Sequence, residues 1–275
     1  LQAGINVLCQ LTSGPLNMAI PHEDKYPLLN NLTSITLHTF AGPHPAGNVG
    51  YHISNISPIV NKDSDVWYIS LEDTVSIGKL FLTGSANYKK IITVGGSPSE
   101  NDNRHLVVSR GMLISDIVKN NINLEYRIIS GDILSGSTTK RDQAIGFYHN
   151  TISMIPNAVK RQFMGWLRPG LNKYSLSRTF LSRMRSKKPK NLSTAMNGGI
   201  RTIIPLGLIE KMCNLDIMPT MLLKSIIARD IEMIEALGIY ECSPEDFSLC
   251  AFIDISKMDI MSIVQEGLEY AEQEG

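Results

Sequence analysis

Apolar positions in the first hundred residues change spacing from one short run to the next. Residues 4–11 and 71–82 repeat at helical intervals, while 16–20, 34–40, 66–70 and 90–94 are short β-rich runs, the last closed by Gly95 and Gly96. Alternation of this kind predicts a parallel α/β sheet. The polar stretch 97–103, with Pro98 and Asp102, ends it, so the first domain is expected to span 1–98.

A second pattern follows over 99–158. Strands are predicted at 105–109, 126–130, 133–135 and 144–154, with a helix at 112–121 and a turn at Gly131-Asp132. One helix laid across a small mixed sheet is a β-grasp arrangement. The remainder, 159–275, reads as an irregular basic connection leading into a helical domain. Pro219 opens a helix whose apolar face uses Leu222, Leu223, Ile226, Ile227, Met233, Ile234 and Leu237, and Gly238 ends it. Ser243-Pro244-Glu245-Asp246 reads as the capped, acidic start of a second helix. Ser256 with Asp259 starts a third, burying Ile260, Ile263, Val264, Leu268 and Ala271.

Composition narrows the class. With 43% hydrophobic residues in 275, the chain can bury a sizeable core. Twenty-six basic and twenty-six acidic residues cancel, so no global field draws it to nucleic acid or an anionic membrane. The longest apolar stretches, such as 200–209 with Arg201 and Pro205, fall short of the ~20 residues needed to span a bilayer. The sequence starts at Leu1 and shows no secretory signal, which reads as a cytoplasmic chain or an excised fragment. Its four cysteines do not make a disulfide framework, as expected of a reduced compartment.

Known chemical motifs fit poorly. Ser76-Ile77-Gly78-Lys79 has the Gly-Lys pair of a phosphate-binding loop, but Asp73 stands where the first glycine belongs and Leu80 replaces the metal-binding hydroxyl. Gly42, Gly47 and Gly50 have the wrong spacing for a dinucleotide fingerprint. Seven residues separate Cys242 from Cys250, and Cys213 is distant, so the thiols read as small core hydrophobes before they read as ligands. His38, His44 and His52 crowd one segment, and a structural or polar-loop role is favoured over a metal site. No nucleophile elbow is present. The concentrated charge is Arg178, Arg183, Arg185, Lys187, Lys188 and Lys190. Without interleaved aromatics this run reads as a solvated loop or a docking patch for acidic groups, not a nucleic-acid site.

Several motifs carry a family resemblance. Phe40-Ala-Gly-Pro-His-Pro-Ala-Gly-Asn-Val-Gly-Tyr-His-Ile53 resembles the loop that marks the A-subunit family of the bacterial sodium-translocating NADH:quinone oxidoreductases. Val66-Trp67-Tyr68-Ile69, Ile77-Gly78-Lys79-Leu80-Phe81, Arg127 to Gly136, Gly165-Trp166, Pro205-Leu-Gly207 and Asp216-Ile-Met-Pro219 continue it in order. The family's N-terminal region, with a small barrel-like domain, has no counterpart here. One departure is Asp254-Ile255, where the family pattern has Cys-Pro.

The resemblance implies a Rossmann-like α/β domain (incomplete at its N-terminus), a β-grasp of the soluble-ligand-binding type and a C-terminal helical domain. It further implies a peripheral scaffold on the cytoplasmic face of the inner membrane. Within a six-subunit complex it would sit against the B membrane subunit, near ubiquinone. The complex passes electrons from NADH to ubiquinone and exports sodium, with flavins and iron-sulfur or iron centres on other subunits and no cofactor on this chain. Within it, Gly42, Pro43, His44, Pro45, Gly47, Gly50 and His52 are the candidate partner- or quinone-adjacent loop, expected to be ordered and rigid. The alternative is a stand-alone module binding a small ligand in the β-grasp.

Overall fold

The computed structural model describes the chain except residues 23–25, 28, 30, 97–103, 119–125, 159–162, 172 and 185–191. It is a mixed α/β protein that divides into two compact units, Leu1–Asn87 with Ile200–Gly275, and Tyr88–Gly199.

The first unit begins with α1 (Gln2–Leu11), β1 (Asn17–Pro21), β2 (Thr36–Phe40), α2 (Val49–Ile56) and α3 (Leu71–Thr83). β1 and β2 pair in parallel, from Asn17 opposite Thr36 to Pro21 opposite Phe40. The residues around α3 dictate its ends. Ser70 accepts the Asp73 amide at 3.1 Å, Glu72 and Asp73 sit at the positive end of the helix, and Gly84 takes the left-handed conformation that stops it. α1 lies so close to α3 that a Cβ on Gly4 would come within 2.0 Å of the Thr74 carbonyl oxygen.

The same unit is completed by α5 (Leu208–Met212), α6 (Pro219–Ala228), α7 (Ile231–Ala236), a 3-10 turn (Pro244–Phe247), α8 (Ser248–Ile253) and α9 (Ile260–Glu274). Leu222, Leu223, Ile226, Ile234, Phe247, Cys250, Ile260, Val264 and Ala271 form its core. Each large apolar side chain buried there contributes roughly 1.5–3 kcal/mol.

The second unit is a five-stranded sheet with order β4-β3-β7-β5-β6, built from β3 (Lys89–Gly95), β4 (Arg104–Ser109), β5 (Tyr126–Ser130), β6 (Ser137–Thr139) and β7 (Thr151–Pro156). The central pair β3 and β7 is parallel and every other pairing is antiparallel. A short helix, α4 (Ile114–Ile117), helps cover the core of Ile92, Val94, Val108, Ile128, Ile152 and Met154.

Several sequence expectations differ from this architecture. The run 90–94, expected to close the first domain, forms β3 and pairs within the second sheet. Residues 66–70 form no strand, because no described strand pairs with them. The expected strand 133–135 is a turn, since the Asp132 carboxylate accepts the amides of Leu134 at 2.6 Å and Ser135 at 2.9 Å. The strand expected from 144 begins only at Thr151. Of the helix expected over 112–121, only Ile114–Ile117 is helical among the described residues, Met112, Leu113 and Val118 are not, and 119–121 lie outside the described residues. The helix expected from Pro219 to Gly238 is two, because Arg229 turns left-handed and Asp230 caps the next segment by accepting the Met233 amide. Asp259, not Ser256, caps α9, and Ser256 is fully buried, accepting the Ile204 amide at 3.3 Å.

Candidate functional site

The segment 42–52 follows directly on β2. Gly42 adopts φ +137°, a region that side chains resist, and two turns follow through Ala46 N–H to the Pro43 carbonyl and Asn48 N–H to the Pro45 carbonyl. Not all of the segment is loop: α2 begins at Val49, so Gly50 and His52 are helical. His52 folds back on the turns, its Nε2 donating to the Ala46 carbonyl at 2.8 Å, and its ring stacks at 4.3 Å on Phe40. Pro45 is buried, whereas Gly42, Pro43, His44 and Gly47 are exposed.

The segment docks on the 3-10 turn of the helical part of its own unit. Asn48 Nδ2 donates to Asp246 Oδ1 at 2.9 Å and to the Glu245 carbonyl at 3.2 Å. His44 Nε2 lies 3.3 Å from Ser248 Oγ. Gly50 presses against the same carboxylate, and a Cβ there would stand 2.0 Å from Asp246 Oδ2. Asp246 is only 3% exposed, and its Oδ2 has no hydrogen-bond partner. Burial pushes its carboxyl above the ordinary carboxylate value; the Asn48 bond and the nearby His44 and His52 pull the other way.

Around this junction lie thiols. Burial raises Cys213 and Cys242, and the negative field of Asp246 adds to both; burial also pushes Cys250 up to about 12. Cys242 and Cys250 are core residues, poor nucleophiles at neutral pH. Among the described residues no group of three or more His, Cys, Asp or Glu is placed to hold a metal. The three crowded histidines take separate partners, with His38 bonding Asn17 Oδ1 at 3.0 Å.

The structure brings the 42–52 residues together and adds Asn48, Asp246 and Ser248, which sequence reasoning missed. The sequence reads Asp246 as a first-turn carboxylate at a helix start; the 3-10 geometry turns it inward. The clue in the sequence was its position immediately before the apolar run Phe247 to Ile253. From the basic run, Arg178 and Arg183 are exposed in the second unit, and Arg183 ends a single 3-10 turn (Leu181–Arg183). Arg185, Lys187, Lys188 and Lys190 lie outside the described residues.

Residues 1–86 match the family model described as the NqrA second alpha/beta domain. The fold and this match define the class, a mixed α/β protein whose first unit carries a domain of that type. The chain is 36% identical over 276 aligned positions to the A subunit of the Na(+)-translocating NADH-quinone reductase of Pasteurella multocida (strain Pm70), covering 100% of this chain and 61% of that protein. The corresponding protein of Neisseria meningitidis serogroup A is 36% identical, with 99% and 61% covered. That of Rhodopirellula baltica is 33% identical, with 99% and 60% covered. The chain is thus homologous along its whole length to the A subunit of the Na(+)-translocating NADH-quinone reductase, and spans about three-fifths of the relatives it matches.

Proposed function

We propose that the chain is the corresponding part of such an A subunit, a scaffold component of a complex that couples NADH oxidation by ubiquinone to sodium export. In this reading it lies on the cytoplasmic face against the B membrane subunit, one of six subunits. It carries no cofactor, the flavins and iron centres belong to other subunits, and the 42–52 segment lies near the quinone. The observation that carries an assembly role is a run of aromatic surface in a protein whose relatives are named as subunits: Trp67 is 93% exposed and Tyr68 72%. Aromatic residues are enriched at protein interfaces relative to the rest of the surface, and two adjacent ones suit an anchor for a partner. No helix among the described residues is long and apolar enough to cross a membrane, which suits a peripheral place in such a complex.

For the second unit we adopt the β-grasp label. Its support is the strand order, in which the parallel β3–β7 pair is extended by antiparallel β4 on one side and by antiparallel β5 and then β6 on the other, and α4 follows the β3–β4 hairpin. The Rossmann-like label for the first unit is supported by the parallel β1–β2 pair with helices before and after its strands. The basic run containing the exposed Arg178 and Arg183 is assigned to docking on acidic groups. Reversing Arg183, Arg185, Lys187 and Lys188 should then weaken assembly more at low salt than at high salt.

The deciding experiment is affinity purification of the tagged protein from native membranes, with identification of what accompanies it. Stoichiometric recovery of membrane subunits supports the scaffold. Recovery of the chain alone overturns it and favours a free ligand-binding module.

A further inference from the structure

The junction between 42–52 and the 3-10 turn is built around a carboxylate that only half uses its hydrogen-bonding capacity. Asp246 Oδ1 is engaged by Asn48, while Oδ2 is buried, unpartnered and pressed by Gly50. A buried charged oxygen without a donor is costly, and a neutral carboxylic acid relieves most of that cost. We propose that Asp246 is the positioning residue of the 42–52 segment, holding it in place while protonated and loosening it on losing its proton to solvent.

The groups that act on it come from several directions. His44 in the turns and His52 on α2 favour the carboxylate and oppose protonation, and the thiols of Cys213 and Cys242 share its field. On its other side, Phe247 anchors the turn in the core beside Cys250, Ile260 and Val264. The net direction is set by burial, which outweighs Asn48 and both imidazoles. Because the docked carboxyl binds its proton more tightly than the free one, docking is fully stabilised below the ordinary carboxylate range and weakens as pH rises through the raised value.

The inference concerns the chain itself and stands apart from the complex-level reading, so it is tested on the 275-residue protein alone. Hydrogen-exchange protection factors for 46–53 amides, corrected for intrinsic exchange, would be followed from about pH 4 to about pH 8. Protection should fall with rising pH, by up to about tenfold per pH unit, the limit for a single proton. In Asp246→Asn, which keeps the shape without the charge, the fall should vanish, while Gly50→Ala should give low protection at every pH. Flat protection in the unmodified chain overturns the proposal. So does an unaltered fall in Asp246→Asn, which would assign the titration to His44 or His52. Should Asp246→Asn fail to fold, Asn48→Ala, which removes the donor to Oδ1 and raises the carboxyl further, should enlarge the total loss of protection and carry it to higher pH; an unchanged profile there overturns the proposal as well.

Discussion

Gly50 is the most constrained residue of the candidate site. An added methyl would meet both Asp246 Oδ2 and, at 2.8 Å, the Ser243 side chain. Gly50→Ala should therefore cost about 1–3 kcal/mol, seen as a lowered melting temperature, because overpacking must move the turn or the helix. His44 is the opposite case. It is exposed and makes one 3.3 Å contact with Ser248, so His44→Ala should change stability by less than about 1 kcal/mol yet lower subunit retention or quinone reduction in the assembled complex. A large stability loss with normal activity would mark it as internal packing. Thiol chemistry gives a third check. With Cys242 and Cys250 buried and shifted up, a thiol reagent at about pH 8 should modify the native chain at Cys9 first and reach all four cysteines only in denaturant. At this scale the glycines and prolines of 42–52 were legible, because their backbone demands are local. Asp246 was not, because its orientation depends on a partner, Asn48, nearly two hundred positions away.

Helix ends show the same division between local and distant causes. The helix over 71–82, the start at Pro219 and the apolar faces of α6 and α9 follow from residue types within a few turns, and these were readable. The break inside 219–238 was written just as locally in Asp230, but an acidic residue in a helical stretch reads equally well as solvated surface. Asp230→Ala should cost about 1 kcal/mol by removing the cap on the Met233 amide. Strands were harder: 66–70 has β-forming residues, yet a strand exists only where another chain segment accepts its hydrogen bonds. Helix contacts also rank two glycines. A Cβ added at Gly4 would stand 2.0 Å from the Thr74 carbonyl oxygen, whereas one added at Gly267 would meet the movable end of Ile226 at 2.7 Å. Gly4→Ala should lower the melting temperature more than Gly267→Ala, and the reverse order would mean that α1 shifts more easily than the core around α6.

For the molecule as a whole, the purified chain is expected to be colourless, because neither clustered thiolates nor a phosphate-cradling glycine loop is written in it. A stoichiometric flavin or cluster spectrum would refute the scaffold reading. The mixed α/β class was legible from alternating patterns, but the assignment of 90–94 was not, since sheet membership is a property of pairing rather than of sequence neighbourhood. The division into units has a further consequence for biosynthesis. One unit is written in two separated stretches, Leu1–Asn87 and Ile200–Gly275, with the other between them. At about 5–20 residues per second, a ribosome takes on the order of 10 s to make the intervening stretch. During that interval the nascent chain presents α1, α3 and the 42–52 segment without the 3-10 turn that Asn48 and Gly50 press against. The inserted unit can fold as soon as it leaves the exit tunnel, while the unit written in two stretches is completed after it. The vulnerable period for chaperone capture and proteolysis thus falls on the earlier-made stretch Leu1–Asn87, and a chain stalled before Ile200 would expose Trp67 and Tyr68 while lacking the helical core from Ile209 to Ala271.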